Sequence, residues 1–216
     1  IFTHADRVTV LRDGRNVHCG PTAEMNADEL VRRMVGRELG NYYPSRPAAN
    51  DEAPETLLQV EGIADGERVH GVSFALRRGE ILGITGLMGA GRSELAETVC
   101  GLRPARCGTV RLHGQPLVIR KYADALRHGI AYLSEDRKAA GVFLDLPIAQ
   151  NIASMALRRV ASRWGLLQRS AERTLAQQLG RQLKLKSDGV DIEVSSLSGG
   201  NQQKVAIAKL LATQPS

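Results

Sequence analysis

A glycine-rich segment between an apolar stretch and a helical pattern constrains the fold of this chain more than any other feature. Residues 86–94 read GLMGAGRSE. They follow Ile81, Leu82 and Ile84, which predict a buried strand, and they precede apolar residues at helical spacing. A strand that runs into a glycine loop and then a helix directs several backbone N–H groups, and the positive end of the helix dipole, at one point. The sequence therefore predicts an anion-binding loop at the start of a helix.

The loop matches the phosphate-binding pattern G-x-x-x-x-G-K-[ST] except at its lysine, where Arg92 stands. Arginine keeps the positive charge. The compact ammonium of lysine can lie between two phosphates, whereas the planar guanidinium of arginine must spread across them. We expect phosphate binding here, with the Ser93 hydroxyl offered to Mg²⁺, and a purely structural glycine turn is the alternative. The predicted contacts are Gly86, Leu87, Met88, Gly89, Ala90, Gly91, Arg92, Ser93 and Glu94.

A second glycine pair opens another predicted helix further along the chain. Residues 197–204 read LSGGNQQK, and Val205 and Ala208 follow at helical spacing. Ser198 and Asn201 can donate hydrogen bonds to phosphate oxygens at that helix start. In isolation the segment could equally be a serine-capped helix after a loop. The upstream phosphate loop favours a second anion site.

Charge and composition narrow the classes of partner. A net charge of +6 is compatible with nucleic acid, nucleotide phosphates or an anionic membrane face. The basic residues are scattered and aromatic residues make up only 4% of the chain, so the interleaved stacking surface of a single-strand binder is missing, and we expect no nucleic-acid partner. The three cysteines have no metal-ligand spacing. We find neither a long apolar run nor a secretion leader, and we expect a soluble, cytosolic protein.

The first part of the chain has the features of a separate piece. Apolar alternation around an Asp13–Gly14 turn predicts a β-hairpin, and Leu30 and Met34 then predict one face of a helix. Over residues 41–56, prolines, asparagines and acidic residues interrupt any helical or strand-like repeat of apolar residues. This composition predicts a linker. We therefore assign residues 1–40 to the end of a preceding unit.

A new unit is predicted over residues 57–216. The segment GIAYL, residues 129–133, predicts a second buried strand. Over about 147–194 the apolar residues recur mostly at helical spacing. Within this stretch residues 149–160 predict a single helix, and Ser170 is the expected N-cap of the next one.

Taken together, these segments resemble the nucleotide-binding subunits of ABC transporters, whose signature motif matches Leu197 to Gly200. The strings GEILGITGLMGAGRSEL, AYLSEDRKAAGVF and LSGGNQQKVAIAKLL are similar to the second cassette of the tandem ATP-binding subunits of monosaccharide importers, the ribose, galactose, xylose and arabinose class. IFTHADRVTVLRDGRNV and MVGREL are similar to the closing segment of the first cassette. The resemblance implies an α/β P-loop core, an antiparallel β subdomain and a helical subdomain, truncated before the Walker B strand.

In that family two cassettes pack head to tail, and ATP lies between the phosphate loop of one and the signature of the other. The resemblance implies that Arg92 belongs to the weaker site of the pair. It implies ATP and Mg²⁺ as cofactors. The implied partners are the membrane-spanning permease subunits, the first cassette and, indirectly, a periplasmic sugar-binding protein, with a second copy of the chain as an alternative. The implied location is peripheral, on the cytoplasmic face of the inner membrane. The residues implied to close over ATP held by the first cassette are Ser198, Gly199, Gly200, Asn201 and Gln202.

Three departures qualify the resemblance. Glu135 stands where the family's Q-loop usually has glutamine, and a carboxylate there can bind Mg²⁺ but repels a γ-phosphate. No aromatic residue lies between Gln59 and His70 to stack on adenine. The Asp-Glu pair that hydrolysis needs is absent before the final ATQPS, so we expect no catalytic residue and no hydrolysis by this stretch alone. A non-hydrolytic nucleotide-sensing or structural cassette and a nucleoside importer remain alternatives.

Overall fold

The computed structural model describes residues 1–12, 14–35, 55–136 and 140–215. By internal packing the chain divides into two units, Ile1–Glu52 and Ala53–Ser216. The predicted linker at 41–56 lies outside the described residues except for its last two positions. Thr56 already begins a strand.

The first unit is a β-hairpin with one helix packed on it. Strand β1 (Arg7–Arg12) pairs antiparallel with β2 (Arg15–Pro21), and helix α1 covers Ala27–Val35, as predicted. Leu30 is buried with Val8, Val10 and Met25, but Met34 is 55% exposed. The predicted apolar face is therefore only half correct, because within the described part of this unit a two-stranded hairpin is the only layer available to cover the helix. The strands and the helix join at a small core of four buried side chains.

The second unit contains a four-stranded antiparallel sheet. Its strand order is β4–β3–β5–β6. His113 and Gly114, with φ of 49° and 73°, form the two-residue turn between β5 and β6, which suits the right-handed twist of paired strands. Helix α2 (Arg92–Val99) lies against the sheet through Leu95 and Val99, which share a core with Val60. The strands are β3 (Thr56–Ala64), β4 (Val72–Arg77), β5 (Cys107–Leu112) and β6 (Gln115–Leu117).

The two predicted buried strands are not formed, which corrects that expectation. Residues 80–87 and 130–134 carry no strand, and Ile81 is 93% exposed. Parallel strands are stable only when neighbouring strands and helices cover them on both sides. Among the described residues no strand pairs with either segment, and every strand pairing present is antiparallel.

Helices dominate the rest of the second unit. The predicted single helix over 149–160 is two helices, because Ser154 turns its hydroxyl back to the Asn151 carbonyl oxygen at 2.7 Å where the first one ends. Ser170 lies inside the first turn of the next helix, whose N-cap is Gln168. Gln168 is fixed there because its N–H donates to the Val160 carbonyl oxygen at 2.9 Å. The helices are α3 (Tyr122–Arg127), α4 (Ile148–Ala153), α5 (Leu157–Val160), α6 (Arg169–Gln182) and α7 (Gly199–Leu211).

The helical part has its own apolar core. Leu175 and Leu179 of α6 are buried, as are Ile152 of α4 and Val205 and Ala208 of α7. The apolar stripe predicted on α7 therefore does face inward. Across the described ranges, no helix combines the length and apolarity needed to cross a membrane.

Candidate functional site

The phosphate loop requires glycine for two distinct reasons. Gly89 and Gly91 have φ of 84° and 83°, which side-chain-bearing residues rarely adopt. Gly91 is also the residue that precedes α2, and a Cβ there would lie 2.8 Å from the Arg68 carbonyl oxygen. The backbone closes around this turn, because Ala90 N–H donates to the Leu87 carbonyl oxygen at 3.1 Å. The loop therefore has a defined shape that a side chain at Gly91 would disturb.

The same loop is open to solvent. Leu87 and Met88 are 86% and 99% exposed, and the Arg92 side chain is exposed as well. Glu94 is engaged instead, since its carboxylate accepts a hydrogen bond from the Arg68 guanidinium at 3.0 Å. An anion can thus approach the backbone and Arg92, while Glu94 ties α2 to the neighbouring loop.

A hydrogen bond joins the phosphate loop to the segment that contains Glu135. The Ser93 hydroxyl donates to the Glu135 carboxylate at 3.0 Å. The two residues are far apart in sequence, and the fold brings together the two oxygen-bearing groups that were predicted separately. Adjacent hydroxyl and carboxylate oxygens are suitable ligands for Mg²⁺, which prefers oxygen and usually binds through one or two protein groups plus phosphates and water.

Tyr122 holds the segment that leads to Glu135. Its hydroxyl accepts a hydrogen bond from the Tyr132 N–H at 3.0 Å and contacts the Tyr132 carbonyl oxygen at 3.4 Å. Burial raises the pKa of Tyr122. Sequence reasoning did not identify this residue, and an aromatic at the first position of a helix gives no signal that would have marked it.

Asp65 shapes the loop that carries Arg68. Its carboxylate accepts hydrogen bonds from the N–H groups of Val69, Glu67 and Arg68 at 2.8–2.9 Å, and these bonds lower its pKa to about 2. Arg103 lies 3.7 Å from the second carboxylate oxygen. Sequence reasoning missed Asp65 too, although Asp-Gly at the end of a strand is the usual start of such a turn.

The second glycine turn begins α7. Ser198 is the N-cap residue, and both Ser198 and Gly200 are exposed rather than packed in the core. Asn201 accepts a hydrogen bond from the Lys186 N–H at 3.1 Å and donates one to the Ser198 hydroxyl at 3.1 Å. The outer face of this turn is therefore available to a ligand or a neighbouring chain.

Gln202 has an internal role in this structure. It is 7% exposed, and its amide nitrogen donates to the carbonyl oxygens of Val194 and Leu197 at 3.2 and 3.1 Å. These bonds fix the turn that presents Ser198 and Gly200. Its predicted contact with nucleotide stays a prediction, and in this conformation its amide is committed to the backbone.

The chemical groups of the phosphate loop and of Glu135 are of the types that bind ATP phosphates and Mg²⁺. The phosphate loop offers a glycine turn with an exposed cation, and the hydroxyl of Ser93 and the carboxylate of Glu135 offer adjacent oxygens. Within the described ranges no three His, Cys, Asp or Glu side chains gather as a complete metal site. A magnesium ion here would depend on nucleotide phosphates for its remaining ligands.

A phosphate loop at one helix start and a serine-glycine-glycine turn at another are the features of an ATP-binding cassette. Residues 69–216 match the family model described as ABC transporter, which is more than half of the chain. The chain belongs to the ABC transporter family.

The chain is similar to import ATP-binding proteins of several bacteria. The chain is 53% identical over 215 residues to the ribose import ATP-binding protein RbsA 2 of Rhizobium etli, covering 100% of this chain and 42% of that protein. It is 47% identical over 206 residues to a putative ribose/galactose/methyl galactoside import ATP-binding protein of Burkholderia cenocepacia, covering 95% of this chain and 40% of that one. The chain thus spans about two fifths of the length of these curated relatives.

Solved structures share the fold. A nucleotide-free ATP-binding cassette from an ABC transporter superposes with a TM-score of 0.60 at 23% identity, covering 74% of this chain and 66% of that chain. A dimeric, post-hydrolysis ATP-binding cassette bound to ADP and phosphate gives 0.58 at 20% identity, covering 74% and 71%. The predicted α/β P-loop fold of an ABC cassette is confirmed at this level, although the described strands are all antiparallel.

Proposed function

We propose that this chain is part of the ATP-binding subunit of a bacterial monosaccharide importer and supplies most of its second cassette. Residues 1–40 would close the first cassette, residues 57–216 would form the second, and about 147–194 would be its helical subdomain. The subunit would couple ATP binding and hydrolysis to uptake through membrane-spanning permease subunits, on the cytoplasmic face of the inner membrane. The names of the relatives, which are ribose and putative ribose/galactose/methyl galactoside import ATP-binding proteins, support this assignment.

The observation that carries the proposal is the exposed signature turn. Ser198 and Gly200 face outward at the start of α7, while Asn201 and Gln202 hold the turn from behind. A turn with free backbone N–H groups at a helix start attracts phosphate. In the proposed subunit it completes the ATP site whose phosphate loop belongs to the first cassette.

The phosphate loop of this chain would form the other site of the pair. Arg92 retains a positive charge without the compact shape of a lysine ammonium. Ser93 and Glu135 would hold Mg²⁺ together, and the Glu135 carboxylate would repel the γ-phosphate unless the ion lies between them. This site would therefore bind nucleotide for regulation, with hydrolysis at the partner site.

The test uses the full subunit that contains this sequence. Ser198→Arg places a long cation on the exposed turn and is expected to abolish ATP hydrolysis. Gln178→Arg, which adds the same side chain at an exposed position of α6, is the matched control and should leave turnover unchanged. Equal turnover in the two variants would overturn the role given to the signature turn.

A second comparison separates the two sites. Arg92→Lys restores the ordinary phosphate-loop residue, and under the proposal it changes the steady-state rate of hydrolysis by less than about twofold, since the partner site performs the chemistry. A rise of about tenfold or more would show that this loop is hydrolytic once lysine is present. A non-hydrolytic sensing cassette is the alternative: it predicts nucleotide binding but no turnover in the wild-type subunit.

A further inference from the structure

An arginine from outside the phosphate loop lies against the end of that loop. Arg68 belongs to the turn between β3 and β4, and a Cβ at Gly91 would lie 2.8 Å from its carbonyl oxygen. Its guanidinium donates to the carboxylate of Glu94, in the first turn of α2, at 3.0 Å. The backbone and the side chain of Arg68 are therefore both adjacent to the point where the loop becomes a helix.

The turn that carries Arg68 is fixed by packing as well as by hydrogen bonds. The Asp65 carboxylate accepts from the N–H groups of Glu67, Arg68 and Val69 at 2.8–2.9 Å. The Val69 side chain is buried and belongs to the same core as Leu95 of α2. Moving the turn away from α2 would open this core and expose apolar surface, which is unfavourable. Arg68 is thus held beside the phosphate loop.

The Arg68 guanidinium has donors left for a ligand. Its side chain is 59% exposed, compared with 17% for Glu94. Within the residues that the structure describes, the bond to Glu94 is the one hydrogen bond that this guanidinium forms. A guanidinium carries several N–H groups in a planar fork, which suits phosphate oxygens. Arg68 can therefore bind an anion without giving up Glu94.

Glu94 is electrostatically unfavourable for a phosphate at this helix start. Its carboxylate interacts well with the positive end of the α2 dipole, but it repels an anion bound to the same backbone N–H groups. The Arg68 guanidinium offsets that negative charge at 3.0 Å. An exposed ion pair of this kind contributes little to folding stability. Its larger consequence is that the first turn of α2 carries no uncompensated negative charge.

We propose that Arg68 is a nucleotide-binding residue whose guanidinium donates to a phosphate oxygen of the bound nucleotide while it still neutralises Glu94. The Arg92 side chain lies towards the other end of the loop, where its Cδ would be 3.7 Å from a Cβ at Gly86. Arg68 and Arg92 together would then supply the positive charge that one lysine supplies in the ordinary pattern. The inference rests on the phosphate-binding role proposed for this loop, and it adds a cation from a different segment.

The test measures equilibrium binding to this chain, which contains one loop of the phosphate-binding pattern, by isothermal titration calorimetry. Arg68→Gln is expected to weaken binding of ATP with Mg²⁺ about 20-fold, since a hydrogen bond between charged groups is lost. A similar loss is expected for inorganic tripolyphosphate, which has no base or sugar. Arg78→Gln, at another exposed arginine of this unit, is the matched control and should leave both affinities unchanged.

Glu94→Gln separates a direct phosphate contact from a structural tie between the turn and α2. Either change would break a tie, so a tie predicts that Arg68→Gln and Glu94→Gln both weaken binding. Under the proposal Glu94→Gln instead strengthens ATP binding several-fold, because it removes a negative charge and frees the guanidinium. In the Glu94→Gln background, Arg68→Gln should still weaken binding about tenfold. A residue that only neutralises Glu94 would have no effect in that background.

Urea midpoints check that all variants are folded. Three results would overturn the proposal: an ATP affinity that Arg68→Gln leaves unchanged, a loss seen with ATP but not with tripolyphosphate, or a Glu94→Gln variant that weakens binding as Arg68→Gln does. In each case, ATP binding by the wild-type chain would still support the phosphate loop. A wild-type chain that binds no ATP would refute both this inference and the role of the loop, while the turnover test at Ser198 would be unaffected.

Discussion

Gly89 and Gly91 offer a matched test of why the phosphate loop needs glycine. Both have nearly the same left-handed φ, 84° and 83°. A Cβ at Gly89 would meet nothing within 4 Å, whereas a Cβ at Gly91 would lie 2.8 Å from the Arg68 carbonyl oxygen. Replacing each with alanine therefore imposes the same backbone strain, and only Gly91→Ala adds a collision with backbone that cannot rotate away.

The expected magnitudes follow from these two terms. A left-handed conformation costs a side-chain-bearing residue roughly 1–2 kcal/mol, so Gly89→Ala should lower the free energy of unfolding by about that amount. Gly91→Ala should lose a further ~1–3 kcal/mol, because the Arg68 loop or α2 must shift to relieve an overpacked contact. For a domain of this size each kcal/mol corresponds to about 2–4 °C in Tm.

Urea denaturation of the chain, followed by circular dichroism, measures both variants in the same cooperative unit. We expect the midpoint order wild type, then Gly89→Ala, then Gly91→Ala, with unchanged slopes. Midpoints that coincide for the two variants would show that the Arg68 contact carries no energy. The geometric argument for Gly91 would then be wrong, even if both alanines weaken phosphate binding.

Three further predictions concern buried polar groups. Asp65 has a pKa lowered to about 2, chiefly by the Val69 N–H. Its stabilising effect is therefore complete above pH 3.8 and is lost as the pH falls towards 2. In Asp65→Asn the urea midpoint should fall less steeply over this acidic range than it does in the wild type. Asn151 is fully buried, and its side chain forms hydrogen bonds with the backbone of the preceding loop. Asn151→Leu should therefore lower the free energy of unfolding in urea by about 2–4 kcal/mol. A decrease of less than about 1 kcal/mol would contradict this role. Burial raises the pKa of Cys100 to about 11, so a thiol reagent at neutral pH should modify exposed Cys107 first and Cys100 only on unfolding. Equal labelling rates for the two thiols would refute this.

The sequence predicted the two helix starts because their causes are local. Gly91 before α2 and Gly199 at the start of α7 stand where a side-chain-free turn meets a helical apolar repeat. The β5–β6 hairpin was predictable for the same reason, since His113 and Gly114 form its whole connection. Patterns of a few adjacent residues were enough in each case.

Features that depend on distant partners were not predictable in this way. The apolar run at Ile81 predicts a strand, but strand formation depends on neighbouring chain segments, and the described residues provide none there. The supports of the site, Asp65 and Tyr122, act through hydrogen bonds to backbone groups that no periodicity reveals. The pairing of Ser93 with Glu135 likewise needed the folded structure to bring the two side chains together.

The two glycine turns differ in what holds them. The signature turn is fixed from nearby, by Gln202 on Val194 and Leu197 and by Asn201 on Ser198. It should keep its shape wherever α7 is folded.

The phosphate loop instead depends on two remote segments, the Arg68 loop through Glu94 and the Tyr122-anchored segment through Glu135. A change in either segment alters the loop without touching its glycines. The phosphate loop is therefore physically coupled to other segments of the second unit, whereas the signature turn presents a preformed surface.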